Sequence, residues 1–287
     1  MIGKIVRSRK VKKFKKKIAI FFVKKIFHSD ITENKLIRLF SNTGIKPGDQ
    51  VMVHSSLSSM GVLRNDSSTF ISAIKKYITN KGLIVMPTFS QVRMYEYVKS
   101  NECFDVNKSP SLTGKLTEEF RKSEGVVRSL HPTHSLSVWG KNAKQFVSGH
   151  EKCITPFNEL SPYKKIIDEN FKILFIGIDM FSMTICRAGD DMIDNYPVNP
   201  YLDQVFEINI TDYSGKKLVM QTKVHDPQIS ARRRNMKIFP YLKEYIFFGK
   251  LAKAKTMMIH AKDVYNVQKD LAKRGISTYY DKPVDKI

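Results

Sequence analysis

The sequence predicts a mixed α/β fold, in which a partly parallel central sheet is flanked by helices. Short apolar runs alternate along the chain with amphipathic segments of helical period. Such alternation is typical of sheets with parallel strand pairs, whose ligand sites lie where strands end and loops begin. The chain has 287 residues, 42% of them hydrophobic and 26% charged. We therefore expect residues 29–287 to form a single α/β domain.

The first predicted element after the N-terminal segment is a helix over residues 33–40. Ser29 or Asp30 is suited to cap it, and Asn42 and Gly44 are suited to end it. Further helices are predicted from STFISAIKKYITNKG (68–82) and SLTGKLTEEFRKSEG (111–125). Four apolar runs predict strands that are buried in the sheet, namely DQVMVHSSL (49–57), LIVMPTFS (83–90), SLSVWG (135–140) and KILFIGID (172–179).

The pattern changes after residue 196. The stretch VFEINITDYSGKKLVMQTKV (205–224) alternates apolar and polar residues on either side of Ser214 and Gly215, which predicts a β-hairpin that turns there. A helix over residues 265–273 is the last predicted element.

Positive charge is concentrated at the N-terminus. The chain has 49 Lys and Arg against 27 Asp and Glu, a net charge of +22, and residues 1–28 hold eleven of the basic residues and no acid. Apolar residues recur there at helical spacing, which indicates a basic amphipathic helix. It either lies on an anionic membrane surface or packs against the domain. Its apolar run is too short to span a bilayer, and no signal-peptide cleavage site follows.

Three cysteines without paired spacing indicate a reducing compartment, so the cytoplasm, or the inner face of the membrane, is the expected location. Nucleic acid is an improbable partner, because the chain lacks a recognisable binding module. The sequence has no GxxxxGK[ST] loop, GxGxxG, HExxH or GxSxG motif. Nucleotide hydrolysis, dinucleotide redox chemistry, zinc proteolysis and serine-hydrolase chemistry therefore lose support.

Small polar turns follow the apolar strands instead. In order, VHSSLSSMG, GLIVMPTFS, TGKLTEEFRKSEGVVRSLHPTHSLSVWG, TPFNELSPYKKI and ILFIGIDMFSMT resemble the aminoglycoside 3-N-acetyltransferase family over residues 30–195. The resemblance implies an antibiotic N-acetyltransferase-like α/β fold. It also implies that acetyl-coenzyme A binds in a cleft and that its acetyl group passes directly to an amine.

The resemblance places a set of residues along the coenzyme. Hydroxyls, backbone N–H groups and a guanidinium suit its amide and phosphate groups. The cofactor-binding set is His54, Ser55, Ser56, Ser58, Gly61, Thr88, Ser90, Arg128, Ser129 and His131. We predict no metal at the two histidines of HPTH, because residues three apart in an extended segment point to opposite faces.

The sequence departs from the family where a general base is expected. The family has a histidine three residues after a threonine, with an acid shortly beyond; here Thr184 is followed by Arg187, which stays protonated. The candidates for the base are His134, His225 and Asp190. Arg187 and Asp191 are assigned to substrate binding, although a salt bridge from Arg187 to either aspartate is an equal alternative. Cys186 offers an acyl-thioester route, but a lone cysteine is usually a buried small residue.

The predicted function is N-acyl transfer from acetyl-CoA, or from another acyl-CoA or acyl-carrier-protein thioester, to a primary amine of an amino sugar. Because polycationic acceptors suit acidic clefts and this chain is basic, we expect a nucleotide- or lipid-linked acceptor used for surface polysaccharide synthesis. The alternatives are an aminoglycoside 3-N-acetyltransferase that confers resistance and a coenzyme-binding scaffold without catalysis. A homodimer is compatible with the sequence.

Overall fold

The computed structural model describes residues 31–56, 59 and 67–279. The predicted N-terminal amphipathic helix lies outside these residues. Ten strands are present in the described part: β1 (Gln50–Ser55), β2 (Leu83–Pro87), β3 (Phe104–Asp105), β4 (Val127–Arg128), β5 (Leu136–Gly140), β6 (Lys172–Ile176), β7 (Phe206–Thr211), β8 (Lys217–Thr222), β9 (Phe247–Leu251) and β10 (Ala254–His260).

Ten α-helices accompany these strands in the same part of the chain. They are α1 (Glu33–Asn42), α2 (Ser67–Ile78), α3 (Met94–Val98), α4 (Lys115–Lys122), α5 (Ala143–Val147), α6 (Pro162–Asp168), α7 (Ile185–Met192), α8 (Pro227–Ala231), α9 (Phe239–Leu242) and α10 (Ala261–Lys273). Single turns of 3₁₀ helix occur at His150–Lys152, Met180–Ser182, Asn235–Ile238 and Lys243–Tyr245.

The main sheet has seven strands in the order β4-β5-β2-β1-β6-β10-β9. Strand β1 is at its centre and pairs in parallel with both β2 and β6, while the outer pairs are antiparallel. The prediction of a mixed, partly parallel sheet flanked by helices is therefore confirmed. A second sheet has the order β3-β7-β8, and its β7–β8 hairpin turns at Asp212–Gly215, as predicted.

The central strands are apolar because both faces of the sheet are covered. Met52 of β1 belongs to a core with residues from α5, α6, α7 and α10. Its neighbours Val51 and Val53 belong to a second core, formed with α1, α2 and α4. Since alternate side chains of a strand point to opposite faces, an uninterrupted apolar run is what a doubly covered strand requires.

Several predicted helix boundaries differ from the structure, and the first and last helices are two of them. Helix α1 is capped by Thr32, whose hydroxyl accepts from the Lys35 N–H at 3.4 Å, and not by Ser29 or Asp30. The last helix begins at Ala261, four residues before its predicted start, directly where β10 ends.

Candidate active site

A cavity of about 670 Å³ opens beside the carboxyl ends of the parallel strands. His54 and Ser55 of β1, Pro87 of β2 and Ile178 just after β6 line it. This edge of a parallel sheet is the usual position of ligand sites in α/β folds. His134, from the HPTH segment, and Arg187 and His225 line the same cavity: His54, Ser55, His134, Arg187 and His225 are the sequence-predicted residues that meet there.

A larger cavity of about 880 Å³ lies at the opposite edge of the sheet, beside the amino ends of β1, β2 and β6. None of the sequence-predicted site residues lines it. Two of the lysines that line it already have partners within the protein. Lys165 Nζ donates to three backbone carbonyls, and Lys172 Nζ pairs with Asp49 at 2.6 Å. The smaller cavity therefore remains the candidate site.

The serine turn after β1 borders this site. The Ser56 N–H donates to Ile176 O at 3.0 Å, and the Ser59 hydroxyl donates to the Ser56 hydroxyl at 3.1 Å. Gly177 makes this packing possible, because its φ is +64° and a Cβ there would lie 2.5 Å from that of Ser59. Ser58 and Gly61, the other predicted members of this turn, lie outside the described residues.

The two histidines of HPTH meet at one hydroxyl group. Residues 132–134 form a turn, and Thr133 Oγ1 lies 3.2 Å from Nδ1 of His131 and 2.9 Å from Nδ1 of His134. The expectation that this segment is extended, with its histidines on opposite faces, is therefore wrong. Across residues 31–56, 59 and 67–279, no group of three or more His, Cys, Asp or Glu is arranged to hold a metal ion.

The hydrogen bonds around Thr133 are compatible with a proton on His134 Nδ1. The backbone N–H groups of Thr133 and His134 both donate to His131 Nδ1, each at 3.4 Å, so this nitrogen is an acceptor. The Thr133 hydroxyl has one proton and can donate it to one of the two Nδ1 atoms. When it donates to His131 Nδ1, it accepts from His134 Nδ1–H, and in this tautomer the Nε2 of neutral His134 keeps a lone pair.

His225 has the opposite polarity. Arg187 Nη1 lies 3.3 Å from His225 Nδ1, and a guanidinium can only donate, so Nδ1 accepts and the ring proton is on Nε2. This Nε2–H has no partner within the described residues. The His134 and His225 ring centroids are 5.8 Å apart. With His134 in the tautomer protonated on Nδ1, the cavity holds one imidazole with a free acceptor and one with a free donor.

Burial keeps the site histidines neutral. It lowers the pKa of His54 to about 4, and that ring stacks on Phe175. Burial, followed by the charge of nearby residues, lowers the pKa values of His134 and His225 well below the usual value for histidine. All three imidazoles are therefore uncharged near pH 7.

Arg128 does not line the cavity. Its guanidinium is buried over the Phe104 ring and donates to the backbone carbonyls of Thr88 and Ser109 and to the hydroxyls of Ser90 and Ser135. These contacts use its hydrogen-bonding capacity within the protein. They support a structural role behind the cavity wall, in place of the coenzyme contact expected from the sequence.

The rest of the predicted cofactor set lies in the same buried layer. The Thr88 hydroxyl accepts from Ser137 Oγ at 3.0 Å, and the Ser129 hydroxyl accepts from the Leu136 N–H and contacts His150 Nδ1 at 2.8 Å. His131 is also behind the wall, with its ring 4.5 Å from that of His150. Thr88, Ser90, Ser129 and His131 are absent from the cavity lining.

Neither aspartate after Arg187 lines the cavity. Asp190 is buried and accepts hydrogen bonds from Arg233, Tyr279 and Gln268, so its carboxylate is not free to act as a base. Asp191 Oδ2 accepts from the Thr155 hydroxyl at 2.6 Å, and burial raises the pKa of this carboxyl to about 6. The salt bridge from Arg187 to either of them is not formed.

The acyl-thioester alternative at Cys186 is also unsupported. This thiol is buried outside the cavity lining, and burial raises its pKa to about 12. Since the thiolate is the nucleophilic form, Cys186 behaves as a small core residue.

Sequence reasoning missed the groups that fix the site histidines. Phe157 packs against both His134 and His225, with ring centroids 5.0 and 6.1 Å away, and Tyr201 stacks on His225 at 4.6 Å. Arg233 forms an ion pair with the Asp190 carboxylate. No motif marks these residues, because their importance comes from contacts between distant parts of the chain.

The comparisons with known proteins agree with this architecture. Residues 52–273 match the family model described as aminoglycoside 3-N-acetyltransferase. The SPbeta prophage-derived aminoglycoside N(3')-acetyltransferase-like protein YokD of Bacillus subtilis is 29% identical over 164 residues, which cover 51% of this chain and 60% of the relative. Aminoglycoside N(3)-acetyltransferase VII of Streptomyces paromomycinus is 22% identical over 57% of this chain and 62% of its own length. The chain thus spans about 60% of these relatives.

Solved structures show the same fold. AAC-IIIb in its binary complex with CoASH has a TM-score of 0.76 and 20% identity, over 87% of this chain and 99% of that one. The YokD crystal structure from Bacillus subtilis has a TM-score of 0.69 and 22% identity, over 84% of this chain and 93% of that one. The family model covers well over half of the sequence. This chain belongs to the aminoglycoside 3-N-acetyltransferase family.

Proposed function

We propose that this protein transfers an acetyl group from acetyl-CoA to a primary amine of an aminoglycoside or a related amino sugar. The observation that carries the proposal is the cavity at the carboxyl ends of β1 and β2, which His134 and His225 both line with their ring centroids 5.8 Å apart. An acceptor nitrogen on His134 and a donor nitrogen on His225 suit acyl transfer, which must remove a proton and stabilise a developing negative charge.

The residues at the end of β1 fit a coenzyme. His54 Nε2 is buried at the cavity and has no partner among the described residues, and Ser55 lines the cavity beside the Ser56–Ser59 turn. His54, Ser55 and Ser56 would hold the coenzyme there, and Ser58 and Gly61 stay predicted members of this set. Acetyl-CoA supplies the activated acyl carbon as a thioester.

His134 is the proposed general base. When the amine nitrogen bonds to the acyl carbon and the carbon–sulfur bond breaks, coenzyme A would leave as its thiolate. The nitrogen must lose a proton, which the free Nε2 of His134 can accept and then return to the thiolate. The Nε2–H of His225 can donate to the acyl oxygen while that oxygen carries negative charge. Arg187 would fix the His225 tautomer through its contact with Nδ1. With these roles, the chain could catalyse acetyl transfer although Arg187 occupies the position at which the family has a histidine.

The comparisons support this acceptor class. The relatives are named as aminoglycoside acetyltransferases, and one solved neighbour, AAC-VIa, is bound to sisomicin. Surface polysaccharide synthesis, an acyl-carrier protein and an anionic membrane have no support from these comparisons. In the described part of the chain, no helix is long and apolar enough to cross a membrane.

The test combines binding with turnover. We expect isothermal titration to show acetyl-CoA binding, and thiol release to rise when an aminoglycoside or amino sugar is added. Coenzyme binding without thiol release for every acceptor would contradict the proposal and favour a coenzyme-binding scaffold. Failure to bind the coenzyme would contradict both.

A further inference from the structure

Arg187 stands at the cavity without a counter-ion. It lies in the first turn of α7 and lines the cavity, and its guanidinium is largely shielded from solvent. Burial, and then the nearby charge of Arg233, lower its pKa. Among the described residues, no carboxylate oxygen lies within 4.0 Å of it, and its one hydrogen bond goes to His225 Nδ1 at 3.3 Å.

The nearby acids are already occupied. Asp190, one turn further along α7, is bound by Arg233, Tyr279 and Gln268. Asp191 holds the Thr155 hydroxyl. Glu96 is the acid among the described residues that line the cavity, and it forms no ion pair with Arg187. Within the described residues, no carboxylate therefore pairs with this guanidinium.

A largely shielded guanidinium without a counter-ion costs free energy, part of which a bound anion would recover. Arginine presents five N–H donors in a planar fork, and the contact with His225 uses one. The remaining donors suit the two oxygens of a carboxylate or phosphate group.

We infer that Arg187 is an anion-binding residue of the acceptor site and that the acceptor is an amino sugar carrying a carboxylate or phosphate group. This inference rests on the proposed acetyl transfer and narrows its substrate class. Among the described residues, the charged side chains that line the cavity are Arg93, Glu96 and Arg187, so positive charge is in excess in this part of the lining. Such a lining favours an acid-bearing amino sugar over a polycationic aminoglycoside.

The coenzyme is the other source of the same chemistry, because it also carries phosphates. The experiment must therefore measure the acceptor and the coenzyme separately. We choose glucosamine 6-phosphate and muramic acid as acid-bearing acceptors, glucosamine as the neutral one and kanamycin as the polycation. Arg232→Gln is the matched control, since Arg232 is an exposed arginine outside the cavity lining.

Binding is measured first, by titrating each acceptor into the protein saturated with coenzyme A. We expect the wild-type protein to bind at least one acid-bearing sugar ten or more times as tightly as glucosamine. Arg187→Gln should remove this preference, Arg187→Lys should keep part of it, and Arg232→Gln should keep all of it. Melting curves establish that each variant is folded.

Turnover is measured next, as kcat/KM for the four acceptors. A tenfold preference for an acid-bearing sugar that is lost in Arg187→Gln would support the inference. Equal binding and turnover for neutral and acid-bearing sugars would overturn it, while leaving acetyl transfer intact. A tenfold weaker affinity of Arg187→Gln for coenzyme A, with acceptor preference unchanged, would also overturn it. Selective binding of acid-bearing sugars without acetyl transfer to any acceptor would support the anion site at Arg187 and contradict the proposed reaction.

Discussion

Arg233 and Arg187 are both shielded from solvent in the same region, but their charges are used differently. The Arg233 guanidinium is bound by Asp190, Tyr279 and Asn235, all of them side chains of the protein. Arg187 lines the cavity, and His225 is its one hydrogen-bond partner among the described residues. The difference shows that burial alone does not make a charged group structural. A group is available for function when the protein leaves its hydrogen-bonding atoms unpaired at a cavity.

The largest expected effect is on kcat, and it compares a histidine that lines the cavity with one that does not. His134→Gln should lower kcat by about a hundredfold to ten-thousandfold, because the proposed base is removed. Thiol release under saturating substrates measures this, and the melting temperature should change little.

The matched control is His150→Gln. His150 is fully buried and bonded to Ser129 Oγ and Pro156 O, so this variant should melt earlier but keep the kcat of its folded fraction. A His134→Gln enzyme within threefold of wild-type kcat would show that another group accepts the proton.

The second effect compares the two arginines directly. Arg233→Met should lower the free energy of unfolding by about 3–5 kcal/mol, because it leaves the Asp190 carboxylate buried without its partner. Arg187→Met breaks no ion pair and should cost less than about 1 kcal/mol. Urea denaturation of both variants measures the difference. Adding Asp190→Asn to Arg233→Met should recover much of the lost stability. Equal losses of stability in Arg233→Met and Arg187→Met would contradict the difference between the two arginines.

The third effect is a loss of stability in acid. The pKa of His54 is lowered to about 4 and that of His150 to about 3 by burial, so below pH 6.5 the unfolded chain binds protons that the folded protein does not. Each histidine should therefore cost about 1.4 kcal/mol for every pH unit below 6.5, until its folded pKa is reached.

Asp191, whose pKa is raised to about 6 by burial, opposes this trend with at most one proton. Melting temperatures at pH 7.5, 6.5 and 5.5 test the balance. The stability should hold between the first two values and fall clearly at the third. A melting temperature that is constant down to pH 5.5 would contradict the neutral, buried state of these rings.

The smallest effect concerns Thr133, which positions the proposed base. Thr133→Val keeps the shape of the side chain but removes the hydroxyl that accepts from His134 Nδ1–H, so kcat should fall about tenfold with unchanged coenzyme affinity. Thr133→Ser should restore kcat, because it restores the hydroxyl. A fall in stability without a fall in kcat would show that the contact is structural.

The parts of the fold that were predictable are those where burial leaves a local pattern. The buried runs that became β1, β2 and β6 are continuous because the sheet is covered on both faces. Strand β9 was missed because Phe247 and Phe248 are more than half exposed there, so it carries no buried periodicity. Its identity as a strand depends on pairing with β10, which is a tertiary contact.

In the candidate site, too, local patterns indicated some residues, while others depend on tertiary contacts. The sequence indicated His54, Ser55, His134, Arg187 and His225, and the structure brings them to one cavity. It did not indicate the surroundings of Arg128, because a motif does not reveal that four protein acceptors surround the guanidinium. It also left the base open between His134 and His225, since the direction of their hydrogen bonds depends on a turn at Thr133 and on Arg187.

The close approach at Gly177 has a consequence for how this protein can vary. A side chain at this position would need both a left-handed backbone and space that Ser59 already fills. Even alanine would push the serine turn away from the end of β6, and its Cβ would also approach the Cβ of Ala254 in β10 to 3.4 Å. When a library of random variants is selected for turnover, position 177 should therefore be among the first positions at which only glycine is recovered.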